Sequence, residues 1–301
     1  MNLHTKALAA TKDHVRSTRW GQERRLEFVD FRLRWEGRLN RGDLMEFFGI
    51  SVPQASLDIA RYLELAPGNA FYDKSVRMYV AGSAFAPLFP ANEPERYLGE
   101  LLAREMRIVP SELSFLGWAP PVGLMPRPGR VMRAEVLLRL LAAVRSQSAL
   151  RVVYQSMSSP EPRERVIVPH AFGHDGMRWH VRAYCYTRRK YLDFLFGRIL
   201  QANRTDEPGR DGTDDEAWHR LVPIVLAPHP ELTEGQKRAI KLDYGMLDGT
   251  ATLECRQALL FYALRSLRLL KEGVESAQEQ QLTLVNRADI APLLPWAVSA
   301  K

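Results

Sequence analysis

Between residues 154 and 198 the chain gathers hydroxyls, imidazoles and guanidiniums at strand spacing. Tyr154, Ser156 and Ser158 come first, then His170, then Trp179, His180, Arg182 and Tyr184, and finally Arg198. Side chains alternate faces along a strand, so His180, Arg182 and Tyr184 share one face, and Trp179, Val181, Ala183 and Cys185 the other. A strand face bearing an imidazole, a guanidinium and a phenol, beside serines and a second arginine, suits an anion or a nucleotide. The guanidinium pairs bidentately with phosphate or carboxylate, and the remaining groups give directed hydrogen bonds. The plainer reading of the same residues is a solvated face whose arginine stems cover apolar surface. His170, His174 and His180 match no metal-ligand spacing, Cys185 and Cys255 are too few for a thiolate zinc site or a disulfide framework, and both read as buried thiols. No glutamate is paired with His180 to make it a general base, and no Gly-x-Gly-x-x-Gly, Walker loop or Gly-x-Ser-x-Gly elbow occurs. We therefore expect neither an enzyme nor a cofactor.

The distribution of charge supports an anionic partner for this region. The chain carries 42 Lys and Arg against 35 Asp and Glu, a net charge of +7. Residues 127 to 204 hold 15 cations, 14 of them Arg, against 5 acids, while residues 205 to 301 hold 11 against 15. Basicity thus belongs to one internal segment, in the residue type best suited to phosphate.

A second constellation lies nearer the N-terminus. Gly49 breaks a helical pattern, and Ser51-Val52-Pro53-Gln54 has the form of a capping box that starts a new helix. Ala55, Ile59 and Tyr62 form its inward stripe, leaving Pro53, Gln54, Leu57 and Arg61 outward. Phe71 to Val80 then alternates around an Asp73-Lys74-Ser75 tip and reads as a hairpin. Helix-turn-helix plus hairpin is a winged helix, whose second helix enters the major groove while the wing touches phosphate. The expected DNA contacts are Ser51, Gln54, Ser56 and Arg61 on the helix and Tyr72, Lys74 and Arg77 on the wing. Residues 1 to 90 hold only 13 cations against 10 acids, so a dimer is expected to double the supply.

These constellations need three modules to hold them. Eight of the 19 prolines fall between Pro87 and Pro128, marking a connecting region in which Asn92-Glu93-Pro94-Glu95 caps a short helix. The acidic, turn-rich run Thr205 to Asp215 marks a second boundary. The expected fold class is α+β multidomain: a winged helix over 1–90, a helical and Pro-rich linker over 91–130, a leading helix and small β-barrel over 131–205, and an α/β sandwich over 218–301. In the barrel, strands are predicted at Leu150 to Gln155, Arg163 to Pro169, Arg178 to Tyr186 and Tyr191 to Leu200. No run approaches the ~20 apolar residues of a spanning helix, and Met1 to Lys6 open no secretory signal, so a cytoplasmic protein is expected.

Trp179-His180-Val181-Arg182-Ala183-Tyr184-Cys185, set after Pro169-His170 and before Asp193-Phe194-Leu195-Phe196-Gly197-Arg198-Ile199, resembles the signature of WYL-domain transcriptional regulators. The naming triplet Trp-Tyr-Leu stands here as Trp-His-Val. With Val153-Tyr154-Gln155-Ser156-Met157-Ser158 and Pro53-Gln54-Ala55-Ser56-Leu57-Asp58, the chain looks most like winged-helix WYL repressors encoded beside bacterial phage-defence operons. The resemblance implies an Sm-like barrel that senses nucleic acid or a nucleotide, with Tyr154, Ser156, His170, His180, Arg182 and Arg198 at the ligand pocket. It implies also a WYL C-terminal extension, expected to dimerise, and a homodimer on an inverted-repeat operator. The alternative is an RNA-binding or RNA-processing protein with the barrel as its main site, which the basic charge of that segment would also serve.

Overall fold

The computed structural model describes residues 21–89, 93–271 and 276–294. The chain divides into two compact units, Met1–Arg127 and Pro128–Lys301. The expected N-terminal reading over Met1 to Lys6 and the cap at Asn92 lie outside the described residues.

In the first unit, helix α1 (21–36) packs under α2 (Arg41–Phe48) and α3 (Val52–Leu65). Asn40 and Asp43 form a reciprocal capping box that starts α2, and Gly49, at φ +63, ends it. Ser51 then caps α3 by accepting from the Gln54 amide. Only half of the expected box forms, because the Gln54 carboxamide donates instead to Asp58 at 3.1 Å. Ala55, Ile59 and Tyr62 are buried as the helical period requires, with α1 aromatics Phe28 and Phe31 and with Phe115 in the same core.

The predicted hairpin is one half of a larger sheet. Strands β2 (Ala70–Asp73) and β3 (Met78–Ala81) pair with each other, and β1 (Arg38–Leu39) adds to the far edge of β3 through Arg38↔Val80 and Leu39↔Tyr79. Two residues after Gly37 carry no periodicity to read, which is why β1 is silent in the sequence. Two buried polar residues lock this unit together. Asp30 of α1 accepts from the Tyr62 phenol at 2.7 Å and from the Leu88 amide at 2.9 Å. Asn69 donates to the Tyr62 oxygen at 2.9 Å and to the Ala86 carbonyl at 2.6 Å. Helix α4 (Pro94–Glu105) follows, with Glu93 at its N-cap.

The second unit opens with α5 (Ala134–Ser146), which packs on a five-stranded antiparallel sheet. Its strands are β4 (Leu150–Tyr154), β5 (Arg163–His174), β6 (Trp179–Cys185), β7 (Lys190–Leu195) and β8 (Ile199–Arg204), in the order β7-β6-β5-β4-β8. The expected closed barrel is not formed among the described residues: β7 and β8 are both edges with no ladder between them. The strand predicted over Tyr191 to Leu200 is in fact two strands split by a 3-10 turn at Phe196–Arg198. Gly197 in that turn packs closely on the segment leading into α5: a Cβ there would stand 2.9 Å from the Val131 carbonyl. The turn directs β8 back against β4 instead of across to β7.

A smaller sheet completes this unit. Central β9 (Leu221–Pro228) pairs antiparallel with β10 (Ala251–Arg256) and β11 (Leu282–Leu284). The inward residues Val222, Ile224 and Leu226 meet Ile240 of α7 (Glu234–Asp243) and Leu260 and Leu264 of α8 (Leu260–Ser266). Each such side chain stabilises by roughly 1.5 to 3 kcal/mol on burial. Cys185 is buried, but Cys255 is only half-buried, at the β10 edge. None of the helices among the described residues is long and apolar enough to cross a membrane.

Candidate functional site

On β6 the alternation holds for most of the strand, and its exceptions are informative. Val181, Ala183 and Cys185 are fully buried in the sheet core, but Trp179, expected with them, is 46% exposed, its ring tilted against His174 at 4.7 Å. Trp179 sits at the open end of the ladder, paired with His174 and beyond the reach of α5. The other face is not solvated. His180 and Arg182 are buried and Tyr184 half-buried: the segment 205–215 folds back over Arg182 and Tyr184, while His180 is covered by Tyr262 and Asp175.

Asp215 is the centre of this contact. Its carboxylate accepts from Arg182 Nε at 2.7 Å and Nη2 at 2.9 Å, one bond to each oxygen, and from His170 Nε2 at 2.9 Å. Burial pushes the Asp215 carboxyl up, but hydrogen bonds from His170 and Arg182 outweigh it and hold it at about 2. Arg182 reaches on to Asp193 of β7 at 3.2 Å, and Tyr262 of α8 donates to the other Asp193 oxygen at 3.4 Å. Burial raises the Asp193 carboxyl against the pull of Arg182. Alongside, Tyr191 donates to Asp214, Tyr186 donates to the Pro208 carbonyl at 2.7 Å, and the Arg210 guanidinium lies 4.1 Å over the Tyr184 ring. Gly212, at φ +77, passes so close to His170 that a Cβ would fall 2.4 Å from the ring.

His180 faces a different acid. Its Nε2 is 3.0 Å from Asp175, which also accepts from Arg178 at 2.7 Å, and its ring lies 4.5 Å from that of Tyr262. Burial pushes the Asp175 carboxyl up, yet hydrogen bonds from His180, Arg178 and two backbone amides bring it well below the carboxylate range. Buried Nδ1 of His180 has no hydrogen-bond partner among the described residues.

The expected ligand residues therefore separate into two groups. His170, Arg182 and Tyr184 lie together under the connector, with His180 beside them on the same strand as Arg182 and Tyr184, against Asp175 and Tyr262. Tyr154, Ser156 and Arg198 gather at the end of β4, where the Gln155 amide donates to the Arg198 carbonyl at 3.0 Å. Tyr154 belongs to the core, 8% exposed, because it continues the inward series of Leu150 and Val152; its oxygen accepts from the Leu195 amide at 3.4 Å. Ser156 is bonded to Ser158 at 2.9 Å, and the half-buried Arg198 guanidinium has no acidic partner among the described residues. Asp175, Asp193, Asp214 and Asp215 are the residues of this cluster that sequence reading missed. The one available signal was the coincidence of an acidic run with the end of a basic segment.

On the first unit, α3 presents Pro53, Leu57 and Arg61 to solvent, with Leu57 64% exposed. Gln54 and Ser56 are half-buried. Ser51 and Ser56 spend their hydroxyls on the helix, Ser51 as cap and Ser56 on the Val52 carbonyl at 3.0 Å. Arg61 is paired with Glu64 at 2.9 Å on the surface. Tyr72, Lys74 and Arg77 are exposed on the wing, Arg77 at φ +56 in its turn, with Asp73 bracing the tip through Ser75. Asp58 was hidden among helix charges in the sequence; it is fully buried and holds Arg25 of α1 at 2.6 Å.

Comparison with known proteins finds three family matches along the chain. Residues 21–103 match the BrxR transcriptional regulator winged helix-turn-helix domain, residues 135–204 the WYL domain, and residues 221–290 the BrxR transcriptional regulator C-terminal dimerization domain. Among solved structures, a chain of proteasome accessory factor B/C of Arthrobacter aurescens aligns at 15% identity and a TM-score of 0.26, covering 93% of this chain and 48% of that one, too distant to inform the fold. The DNA-binding transcriptional repressor CapW of Escherichia coli is 46% identical over 92% of this chain and 93% of its own length. Those of Pseudomonas aeruginosa and Stenotrophomonas maltophilia are each 45% identical, over 92% and 90% of this chain and 93% and 91% of their own. With identity sustained across winged helix, WYL sheet and C-terminal module alike, the chain belongs to the CapW family of BrxR-type WYL regulators.

Proposed function

We propose that the protein is a homodimeric, DNA-binding transcriptional repressor of a phage-defence operon, acting in the cytoplasm, whose WYL module binds a nucleic-acid or nucleotide effector and then releases an inverted-repeat operator. The observation that carries the DNA reading is α3 itself. Its inner stripe is fixed by the Asp30–Tyr62 and Arg25–Asp58 bonds, while Leu57, Arg61 and the wing cations face outward on the same module. Gln54 can pair with adenine and Arg61 with guanine or phosphate, with Ser51 and Ser56 serving the helix start and Tyr72, Lys74 and Arg77 the backbone. The name of the C-terminal family, a dimerization domain, supports two copies, and two reading heads related by a twofold axis require a palindromic site.

The effector reading is supported by the polar face of β6 and by Ser156 and Arg198 at the end of β4. Linkage sets the requirement: an effector must prefer the released form by about 1 to 3 kcal/mol to shift operator occupancy usefully. The RNA-reading alternative draws no support from the relatives, which are named as DNA-binding.

Fluorescence anisotropy with duplex from upstream of the protein's own operon and with a scrambled duplex, at two salt concentrations, tests the proposal. Preference for the native duplex that persists at the higher salt is expected. Equal, salt-sensitive binding to both, or a preference for single-stranded RNA, would overturn it.

A further inference from the structure

The connector between the WYL sheet and the C-terminal module is chemically unlike a linker. Residues 205–215 carry five acids and one arginine, directly after a segment with 15 cations. The run is bound at successive points along its length: Tyr186 to the Pro208 carbonyl, Arg210 on Tyr184, Gly212 against His170, Tyr191 to Asp214, and Arg182 with His170 to Asp215. Two of these contacts imitate parts of a nucleotide. Arg182 grips both oxygens of Asp215 in the fork geometry that a guanidinium offers carboxylate and phosphate alike. Arg210 lays a flat, delocalised cation on the Tyr184 ring, where an aromatic side chain would otherwise stack a base.

We propose that the connector is a built-in ligand mimic: Asp215, on Arg182 and His170, holds the place of an effector phosphate, and Arg210, on Tyr184, holds the place of its base. Effector binding is then an exchange of one anion for another at a site that never stands open to solvent. The connector runs straight into α6 (Glu216–His219) and β9, so its release loosens the tie between the WYL sheet and the C-terminal module. This rests on the effector reading above and adds what keeps that site closed.

Thermal unfolding of the full-length protein, with inorganic phosphate and adenosine monophosphate as probes, tests the exchange. In Asp215→Ala, phosphate is expected to stabilise saturably at concentrations at least tenfold below those needed by the wild type, and the nucleotide at concentrations tenfold lower still. Adding Arg182→Ala should abolish both effects, and adding Tyr184→Ala should reduce the nucleotide to the level of phosphate. No saturable shift in Asp215→Ala, or an equal one with Arg182 removed, overturns the proposal. Should Asp215→Ala not fold, the surface change Arg210→Ala is titrated with the nucleotide alone. A gain of fivefold or more supports the mimic, and affinity equal to wild type overturns it. Failure of any nucleic acid to release the wild-type operator complex would defeat the effector reading without altering these titrations.

Discussion

Arg182 and Asp215 form a bidentate ion pair that is almost fully buried, 33 residues apart in the chain, with His170 on one side of the carboxylate and Asp193 on the far side of the guanidinium. Arg182 is therefore bound on two fronts, to Asp215 of the connector and to Asp193 of β7. Arg198, by contrast, has no acidic partner among the described residues.

That contrast separates two variants. Arg182→Ala leaves two buried carboxylates without their cation and is expected to cost roughly 3 to 5 kcal/mol of stability. Arg198→Ala should stay within about 0.5 kcal/mol of wild type while weakening the response of operator binding to effector. Urea unfolding alongside anisotropy checks both, and equal destabilisation by the two changes would contradict the division.

Asp215 also sets an acid limit. An unfolded aspartate titrates at 3.8, whereas in the fold Asp215 is held at about 2, so the native state binds this proton less tightly. Its contribution is fully present above the unfolded value and is lost as pH falls from about 4 through 2, on the order of 2 kcal/mol. Unfolding free energies measured from pH 6 to pH 2 should fall more steeply for wild type than for Asp215→Asn. Parallel curves would show that the carboxylate is not linked to folding.

Gly212→Ala attacks the same contact from the backbone. The residue sits at φ +77, and the new methyl would stand 2.4 Å from His170 Cγ, so either the ring or the connector must move. A loss of about 2 kcal/mol or more is expected. Limited proteolysis should cut the variant within 205–215 faster than wild type; unchanged resistance would mean that the loop accommodates the methyl in place.

For the reading head, Gln54→Ala is expected to lower affinity for the native duplex by about 1 to 3 kcal/mol and to relax discrimination at one base position. Lys74→Ala should weaken native and scrambled duplexes alike and reduce the salt slope by about 1. Neither should change the effector response. Gln54 carries an added cost, since its carboxamide must leave Asp58 to reach a base. Retained affinity in both variants would remove α3 and the wing from the interface.

Periodicity made the helices and most strands legible. Ala55, Ile59 and Tyr62 marked the inner stripe of α3, and Val181, Ala183 and Cys185 the inner face of β6, because burial on one face writes itself into spacing. What spacing could not convey was pairing across distance. Asp215 looked like part of a solvated boundary because an acidic, Gly-rich run has no period, and only the fold brings it to Arg182. Asp30 and Asp58 were lost among helix charges for the same reason. The split of the predicted 191–200 strand into β7 and β8 by a 3-10 turn at Phe196–Arg198 left no mark in the periodicity.

The phenol of Tyr62 joins α1 through Asp30 and the end of α3 through its own ring, and Asn69 ties that phenol to the chain after the wing. Burial, together with the neighbouring Asp30, keeps this phenol protonated far beyond its ordinary range. A head braced in this way has little compliance of its own. On a duplex, the mechanical work of fitting then falls to the nucleic acid, and base steps that the protein never touches enter the choice of operator through their stiffness.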